Sequence, residues 1–169
     1  MNDARETQPD PKQPPLPVLD YLSRMIAGTL RPGDRTHFDY PSPINRLLGF
    51  EVLAVSEGTA VLGFAADAAV HGNQQGTVHG GMLAELADAS IGTAHSTLLD
   101  AGESLTSIDL RVTYLRPVWR EHLRATARAS HLGRTISHYD CEITRADGQP
   151  VARATSTVLT LRGEAAAGR

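Results

Sequence analysis

The stretch that decides the fold of this chain is Asn73-Gln-Gln-Gly-Thr-Val-His-Gly-Gly-Met-Leu-Ala-Glu-Leu-Ala-Asp88. It predicts a glycine-rich loop that leads directly into a helix, with a carboxylate further along that helix. The first turn of a helix presents unpaired backbone N–H groups and a partial positive charge. Because Gly80 and Gly81 have no Cβ, a ligand oxygen can approach those N–H groups closely. The stretch therefore predicts a site that polarises a carbonyl group, with Asp88 available to assist attack on it.

The spacing within this stretch predicts a site shared between subunits. On a straight helix Asp88 lies about 12 Å further along the axis than Gly80 and about 80° around it. Groups that act on one reacting atom lie roughly 3 Å from it. We therefore expect each site to combine Gly80 of one subunit with Asp88 of another, as a two-fold homodimer allows.

The helical wheel separates the two carboxylates of this helix. One apolar arc of residues 80–99 contains Leu83, Ala84, Ala87, Ile91, Ala94 and Leu98. Glu85, Gly92 and Ser96 fall near the middle of the opposite arc, and Asp88 lies at the border with His95. This pattern favours Glu85 as a solvated or interface charge and Asp88 as the functional carboxylate.

Composition limits the class of protein. The 169 residues are 41% apolar and carry a net charge of −3, with a pI near 6.1. Neither value indicates a nucleic-acid or anionic-membrane partner. The single Cys141 excludes an intrachain disulfide and fits a reducing cytosol. Apolar runs fall short of the roughly 18 residues that span a bilayer, and no signal-peptide core is evident, so we expect a cytoplasmic protein.

The periodicity along the chain predicts an α+β fold. Residues 1–17 contain five of the ten prolines and read as a disordered arm, and residues 18–44 as a short helix and loop extension. The main domain covers residues 45–162, and 163–169 form a tail. Within this domain, a hairpin over 50–65, the long helix and four further strands predict a six-stranded, largely antiparallel sheet with one face covered by the helix.

Three segments resemble a known family. They are His79-Gly-Gly with Asp88, Ser107-Ile-Asp-Leu and Thr113-Tyr-Leu-Arg-Pro-Val118. Over roughly residues 45–161 the chain looks like the hotdog-fold thioesterases of the phenylacetate-pathway (PaaI-like) type. The resemblance implies a sheet wrapped around a central helix, sheets joined edge to edge in a homodimer, and pairing of dimers into a homotetramer. It also implies hydrolysis of acyl-CoA thioesters without a cofactor.

The resemblance assigns roles to four residues. Gly80 corresponds to the backbone N–H that polarises the thioester carbonyl, and Asp88 to the carboxylate contributed by the partner subunit. Asn73 and His79 match positions near the thioester and the attacking water. Asp88 acts either as a general base on water or as a nucleophile that forms an anhydride, and both routes stay open.

The hydroxyl beside this carboxylate has two candidates. Ser107 matches the family position, but simple strand alternation groups Ser107 with Asp109 and places Thr106 and Ile108 on the apolar face. Thr106 therefore remains the alternative to Ser107.

The remaining candidates concern the rest of the substrate. Arg116, at a strand end, and Arg134, at a hairpin tip, are expected to meet the coenzyme A phosphates. Residues expected to border an acyl tunnel for an aromatic or medium-chain group are Phe38, Tyr40, Ala87, Ala89 and Ser90.

The sequence gives little support to a metal site or to another kind of catalytic site. The histidines lack metal-ligand spacing, so no metal site is expected. Histidines predicted on the surface are His71, His95, His131 and His138, and Cys141 is predicted in the core. Two alternatives to a thioesterase stay open. One is a non-catalytic acyl-CoA-binding hotdog module, which the presence of Asp88 argues against, and the other is a hotdog hydratase or dehydratase that uses His79.

Overall fold

The architecture is one antiparallel sheet that carries a long helix on one face. A computed structural model describes residues 14–167. The strands are β1 (Phe50–Ser56), β2 (Thr59–Asp67), β3 (Ser104–Tyr114), β4 (Arg120–Leu132), β5 (Ile136–Thr144) and β6 (Pro150–Leu161). The helices are α1 (Val18–Ala27), α2 (Pro43–Leu48), α3 (Ala68–His71) and α4 (Gly80–Ser96), and a 3-10 turn covers Gly163–Ala166. All strand pairs are antiparallel, in the order β1-β2-β4-β5-β6-β3, which confirms the α+β prediction.

Helix α4 packs against the sheet along an apolar face. Its buried residues contact a sheet surface rich in small side chains, which lets the helix axis approach closely. The buried apolar residues of α4 are Leu83, Leu86, Ala87, Ile91 and Ala94, and the buried alanines of the sheet include Ala60, Ala125, Ala127, Ala152 and Ala154. Burial of this interface is the main apolar contribution to the core.

Edge strand β3 contains a bulge that changes which residues face α4. Ser107 pairs with Val158, but Asp109 pairs with Thr157, so Ile108 is one extra residue on β3. A single extra residue reverses the alternation of all side chains beyond it. Ser107 therefore faces the helix, and Ile108 is exposed. The prediction from simple alternation, which placed Ile108 on the apolar face and grouped Ser107 with Asp109, is wrong for this reason.

The last turn of α4 is more deeply buried than the sequence predicted. His95 is 2% exposed, and its ring contacts Tyr139 Oη at 3.0 Å through Nδ1 and Thr160 Oγ1 at 2.9 Å through Nε2. The surface prediction for His95 is wrong because β5 and β6 bring these two hydroxyls over the border of the helix. Burial lowers the pKa of His95. Cys141 is buried, as predicted.

The segment before β1 folds over α4. Helix α1 packs against β1 through buried Val18 and Leu22. The following loop crosses the C-terminal half of α4, where Tyr40 and Ser96 form a 2.5 Å hydrogen bond. Ser96, predicted on the open arc, is consequently 1% exposed.

The two ends of the chain are described only in part. The prediction of a disordered arm concerns mainly residues 1–13, which lie outside the described residues. Leu16 is described, and its backbone N–H donates to the carbonyl of Arg35 at 2.7 Å. Helix α2 was not predicted; Ser42 caps it by accepting from the Asn45 N–H at 3.3 Å.

Candidate active site

Asp88 and Ser107 meet in a groove between α4 and β3. The Ser107 hydroxyl donates to Asp88 Oδ1 at 2.9 Å. This contact depends on the bulge at Ile108, which turns Ser107 toward the helix. Ser107, rather than Thr106, is thus the hydroxyl beside the carboxylate. A serine donor fixes the orientation of the carboxylate and leaves its second oxygen open to the groove.

Glu85 lies in the same groove, one turn before Asp88. It is half-buried, so it is not a fully solvated charge, and the predicted alternative of an interface charge stays a prediction. Burial, and then the negative charge of Asp88, raise the pKa of Glu85. The groove is lined by Gly81, Ala84, Glu85, Asp88, Ser107, Ile108, Asp109 and Leu110. Glu85 and Asp88 therefore share this groove with a third acidic residue, Asp109, and their own surroundings are unequal.

At the start of α4 the Gly80 N–H group remains available. The Gly81 N–H donates to Nδ1 of His79 at 2.9 Å, and the Met82 N–H to the His79 carbonyl. Among residues 14–167, the Gly80 N–H has no acceptor. Of the two glycine N–H groups proposed from the sequence, only that of Gly80 can bind a substrate oxygen.

Tyr114 explains why position 80 is glycine. Its hydroxyl donates to the Gly80 carbonyl at 3.0 Å, and a Cβ at Gly80 would lie 2.9 Å from the Tyr114 ring. The ring thus packs against the helix start, and a larger residue would displace it. Tyr114 was not predicted as a site residue, because only the folded sheet brings β3 to this end of α4.

His79 is exposed and acts as the helix cap. Because Nδ1 accepts a hydrogen bond from Gly81, the proton of the neutral ring is assigned to Nε2. Nε2 is therefore a donor that the helix cap does not use. This tautomer allows His79 to orient an oxygen near Gly80 without acting as a base.

Asn73 organises the loop that precedes α4. Its Oδ1 accepts from the backbone N–H groups of Gln75 at 2.9 Å and Thr77 at 3.3 Å, and its Nδ2 donates to Thr77 Oγ1 at 3.1 Å. The Asn73 N–H also bonds to the Thr77 carbonyl at 2.8 Å. Asn73 lines the same pocket as Gly80. In one chain its amide is occupied by the loop and holds that loop beside Gly80.

Within one chain the functional groups form two separate halves. Gly80, Asn73 and Arg116 line one pocket, whereas Asp88 and Ser107 line the groove further along α4. The helix is continuous between them, so the offset of about 12 Å predicted from the spacing stands. Neither half alone contains both an N–H donor for the carbonyl and a carboxylate.

The two candidate arginines lie at opposite ends of the sheet. Arg116 donates from its backbone N–H to Val151 and from its side chain to the Pro150 carbonyl at 2.6 Å. Arg134 lies in the hairpin beside the other end of β6, where Thr160 pairs with Thr135. Nine residues of strand separate these points by roughly 30 Å. In one chain only Arg116 adjoins the Gly80 pocket.

A second pocket, of about 390 Å³, begins at Asp88 and runs under the segment before β1. Phe38, Tyr40 and Ala89 line it, as predicted. Ala87 and Ser90, also proposed for the tunnel, are instead fully buried, on the side of α4 that packs against the sheet. Their assignment to the tunnel is wrong because a different face of α4 lines the pocket.

Two other kinds of feature are missing from the part of the chain that the structure describes. Among residues 14–167, no group of three or more histidine, cysteine, aspartate or glutamate side chains is arranged to hold a metal ion. Over the same residues, none of the helices has the length and apolar character needed to cross a bilayer.

Known proteins are similar to this chain in sequence and architecture. Residues 75–152 match the Thioesterase superfamily. YigI of Escherichia coli, a medium/long-chain acyl-CoA thioesterase, is 30% identical over 136 residues, covering 72% of this chain and 88% of YigI. The structure of Escherichia coli PaaI, from the phenylacetic acid degradation operon, gives a TM-score of 0.70 at 24% identity, covering 86% of this chain and 97% of PaaI.

A second solved structure is similar to this chain at a higher sequence identity. A variant of the phenylacetic acid degradation protein PaaI from Thermus thermophilus is 31% identical, with a TM-score of 0.64 over 70% of this chain and 98% of that protein. The chain therefore belongs to the thioesterase superfamily, as a hotdog-fold member of the PaaI-like type. It is a thioester hydrolase, and the predicted hotdog architecture is confirmed.

Proposed function

We propose that this enzyme hydrolyses acyl-CoA thioesters with medium-chain or aromatic acyl groups, in sites shared by two subunits. The observation that carries the proposal is the hydrogen bond between Ser107 and Asp88, at the mouth of a pocket with a largely apolar lining. A carboxylate held by a neutral donor stays oriented for attack or for proton transfer. The adjoining pocket is large enough for an acyl group of several carbons.

The thioester carbonyl is polarised by the Gly80 N–H at the positive end of α4. Among the described residues, this N–H group has no acceptor. The His79 cap on Gly81 and the hydrogen bond from Tyr114 to the Gly80 carbonyl hold this donor in position before the substrate binds. The family resemblance supports a position of His79 and Asn73 near the thioester, and Asn73 holds the loop that lines the Gly80 pocket. Developing negative charge on the carbonyl oxygen is thereby stabilised.

Asp88 of the second subunit completes the reaction by one of two routes. As a general base it takes a proton from water, whose oxygen attacks the carbonyl carbon while the thiolate of coenzyme A leaves and is protonated. As a nucleophile it forms an acyl anhydride with release of the same thiol, and water then hydrolyses the anhydride. Single turnover in ¹⁸O-water separates them, because the anhydride route can place the label in Asp88.

The proposed dimer forms through the free edge of β3. An eleven-residue edge strand leaves unpaired backbone groups that a second copy can satisfy. Ile108 and Tyr114 are exposed along this strand and would be covered in such a dimer. Pairing of two dimers into a homotetramer follows from the family resemblance, and sedimentation analysis tests it. The unpaired Cys141 agrees with action in the reducing cytoplasm.

Coenzyme A is proposed to lie with its phosphates near Arg116, which borders the Gly80 pocket. Arg134 can contribute to the same molecule only if it comes from another subunit. Arg116→Ala should therefore raise KM more than it lowers kcat, since it removes a contact to the phosphates, which take no part in the reaction.

One assay distinguishes the proposed activity from its alternatives. Thiol release from octanoyl-, phenylacetyl-, benzoyl- and acetyl-CoA is measured beside hydration of an enoyl-CoA. Thiol release with a preference for the larger acyl groups supports the proposal. Hydration without thiol release would favour the hydratase alternative, and binding without either reaction would favour the non-catalytic module.

A further inference from the structure

We propose that Tyr40 and Ser96 form the end wall of the acyl pocket and limit straight acyl chains to about eight carbons. This inference rests on the proposed function and adds the residues that set its chain-length preference. It concerns the segment before β1, which lies outside the residues that carry the family resemblance.

The pocket follows one stripe of α4 from the reacting carboxylate to the end of the helix. Its helical lining residues follow the pattern i, i+3, i+4, i+7, i+8 and i+11, so they form a continuous face. They are Glu85, Asp88, Ala89, Gly92, Thr93 and Ser96. Leu105 of β3 forms one wall, and Phe38 and Tyr40 of the extension form the other. A chain whose thioester lies at Asp88 is thereby directed toward Ser96.

A fixed hydrogen bond closes the far end. Ser96 Oγ donates to the Thr93 carbonyl at 2.7 Å, so its proton is already used. The Tyr40 hydroxyl is therefore the donor in the 2.5 Å contact with Ser96. Phe38 packs edge-on against Tyr40, with ring centroids 6.4 Å apart, and holds the ring across the pocket. Extending an alkyl chain past this point would break the hydrogen bond.

The distance from Asp88 to Ser96 sets the length. Eight helical residues span about 12 Å. A terminal methyl group needs about 4 Å of clearance from the wall, which leaves about 8 Å for the chain. At about 1.25 Å per methylene, this space accepts about six bonds beyond the carbonyl carbon, or about seven to eight carbons in all.

Gly92 keeps the middle of the pocket open. A Cβ placed there would meet no heavy atom within 4 Å, although Gly92 lines the pocket. A side chain at this position would enter the space assigned to the acyl chain without displacing the protein. Replacing a helical glycine also favours the helix, because glycine has a low helix propensity. Gly92→Leu is therefore a well-folded means of shortening the pocket.

The test measures kcat/KM for straight-chain acyl-CoA substrates from two to sixteen carbons, with three variants of the full-length protein. Tyr40→Ala removes the end wall, Gly92→Leu blocks the middle, and Tyr21→Ala is the matched control in α1, away from the pocket. For wild type, kcat/KM should rise about fourfold per methylene up to about eight carbons and then fall at least about tenfold by fourteen. Tyr40→Ala should extend the limit by about four carbons, the length of the removed ring.

Gly92→Leu should lower the limit to about four carbons, because Gly92 lies only about 6 Å beyond Asp88. Tyr21→Ala should keep the wild-type profile. The inference is overturned if wild type is active but both pocket variants keep its length profile. Absence of thiol release from wild type at every length overturns the proposed function itself, and this inference with it.

Discussion

The two ends of α4 carry the same residue types in opposite situations. At the N-terminal end His79 is exposed, caps one N–H with Nδ1 and keeps a second nitrogen open. At the C-terminal end His95 is buried, and Tyr139 and Thr160 satisfy both of its ring nitrogens. Open hydrogen-bonding groups at one end can act on a substrate, whereas the satisfied groups at the other hold the helix on the sheet. Burial and partners, not residue type, decide the role.

Among the substitutions in and around α4, we expect the largest functional effect at Asp88. Asp88→Asn keeps the shape of the side chain but removes the base or nucleophile, so we expect kcat to fall at least about 100-fold. Thiol release under saturating substrate measures the loss, and a circular dichroism melt checks the fold. Glu85→Gln, the matched change in the same groove, should cost less than about tenfold. An Asp88→Asn enzyme that keeps most of its kcat would show that Asp88 is neither the base nor the nucleophile.

Ser107 gives a smaller and more specific effect. Ser107→Ala removes the 2.9 Å hydrogen bond that orients Asp88, and we expect kcat to fall about tenfold with little change in KM. Thr106→Ala, on the opposite face of the same strand, is the control and should keep wild-type kinetics. Equal losses in the two variants would show that the effect comes from weakening β3.

At the buried C-terminal end of α4, a change of pH should alter the free energy of unfolding rather than the catalytic rate. Burial lowers the pKa of His95, so below about 6.5 the unfolded chain takes up a proton that the folded protein does not. The stabilising contribution is complete above about 6.5 and is lost as pH falls through the folded-state pKa, by at most about 1.4 kcal/mol per pH unit. Nearby Glu103 opposes this shift and Arg162 adds to it.

Urea unfolding between pH 7 and 5 measures the effect. His95→Gln should reduce the pH dependence and leave the part that burial of His37 contributes by lowering the pKa of that residue, while the exposed His131→Gln should leave it unchanged. A wild-type slope that survives in His95→Gln would assign the acid sensitivity to another group.

Local sequence signals predicted the parts of the site that lie on one element. The glycine-rich loop, the start of α4 and the position of Asp88 depend on capping and helical period, which a single stretch encodes. The bulge at Ile108 depends on pairing with β6, so simple alternation misplaced the face of Ser107. Burial of His95 likewise depends on distant strands.

The contacts of the segment before β1 likewise could not be predicted from local sequence. Its loop covers Ser96 through contacts more than fifty residues apart in sequence, so the helical wheel alone placed that residue on an open face. Tyr114, which packs on Gly80, was missed for the same reason. The separation of Arg116 from Arg134 also became evident only from the strand order.

The central claim is that each active site combines Gly80 of one subunit with Asp88 of the other, and a mixed dimer tests it most directly. Gly80→Pro removes the backbone donor at the first helical position, where the backbone suits proline, and the extended backbone of His79 suits a following proline. The added ring must push aside Tyr114, whose side chain is half-exposed and can move outward. Asp88→Asn removes the carboxylate. Each homodimer should be inactive, and circular dichroism verifies that both variants are folded.

In a mixed dimer one site receives both altered groups and the other receives neither. Co-refolding the two variants should therefore restore thiol release, to about half of wild-type activity per mixed dimer if the sites are independent. No recovery in verified mixed dimers would contradict the shared site and would mean that Asp88 serves its own subunit or is not catalytic.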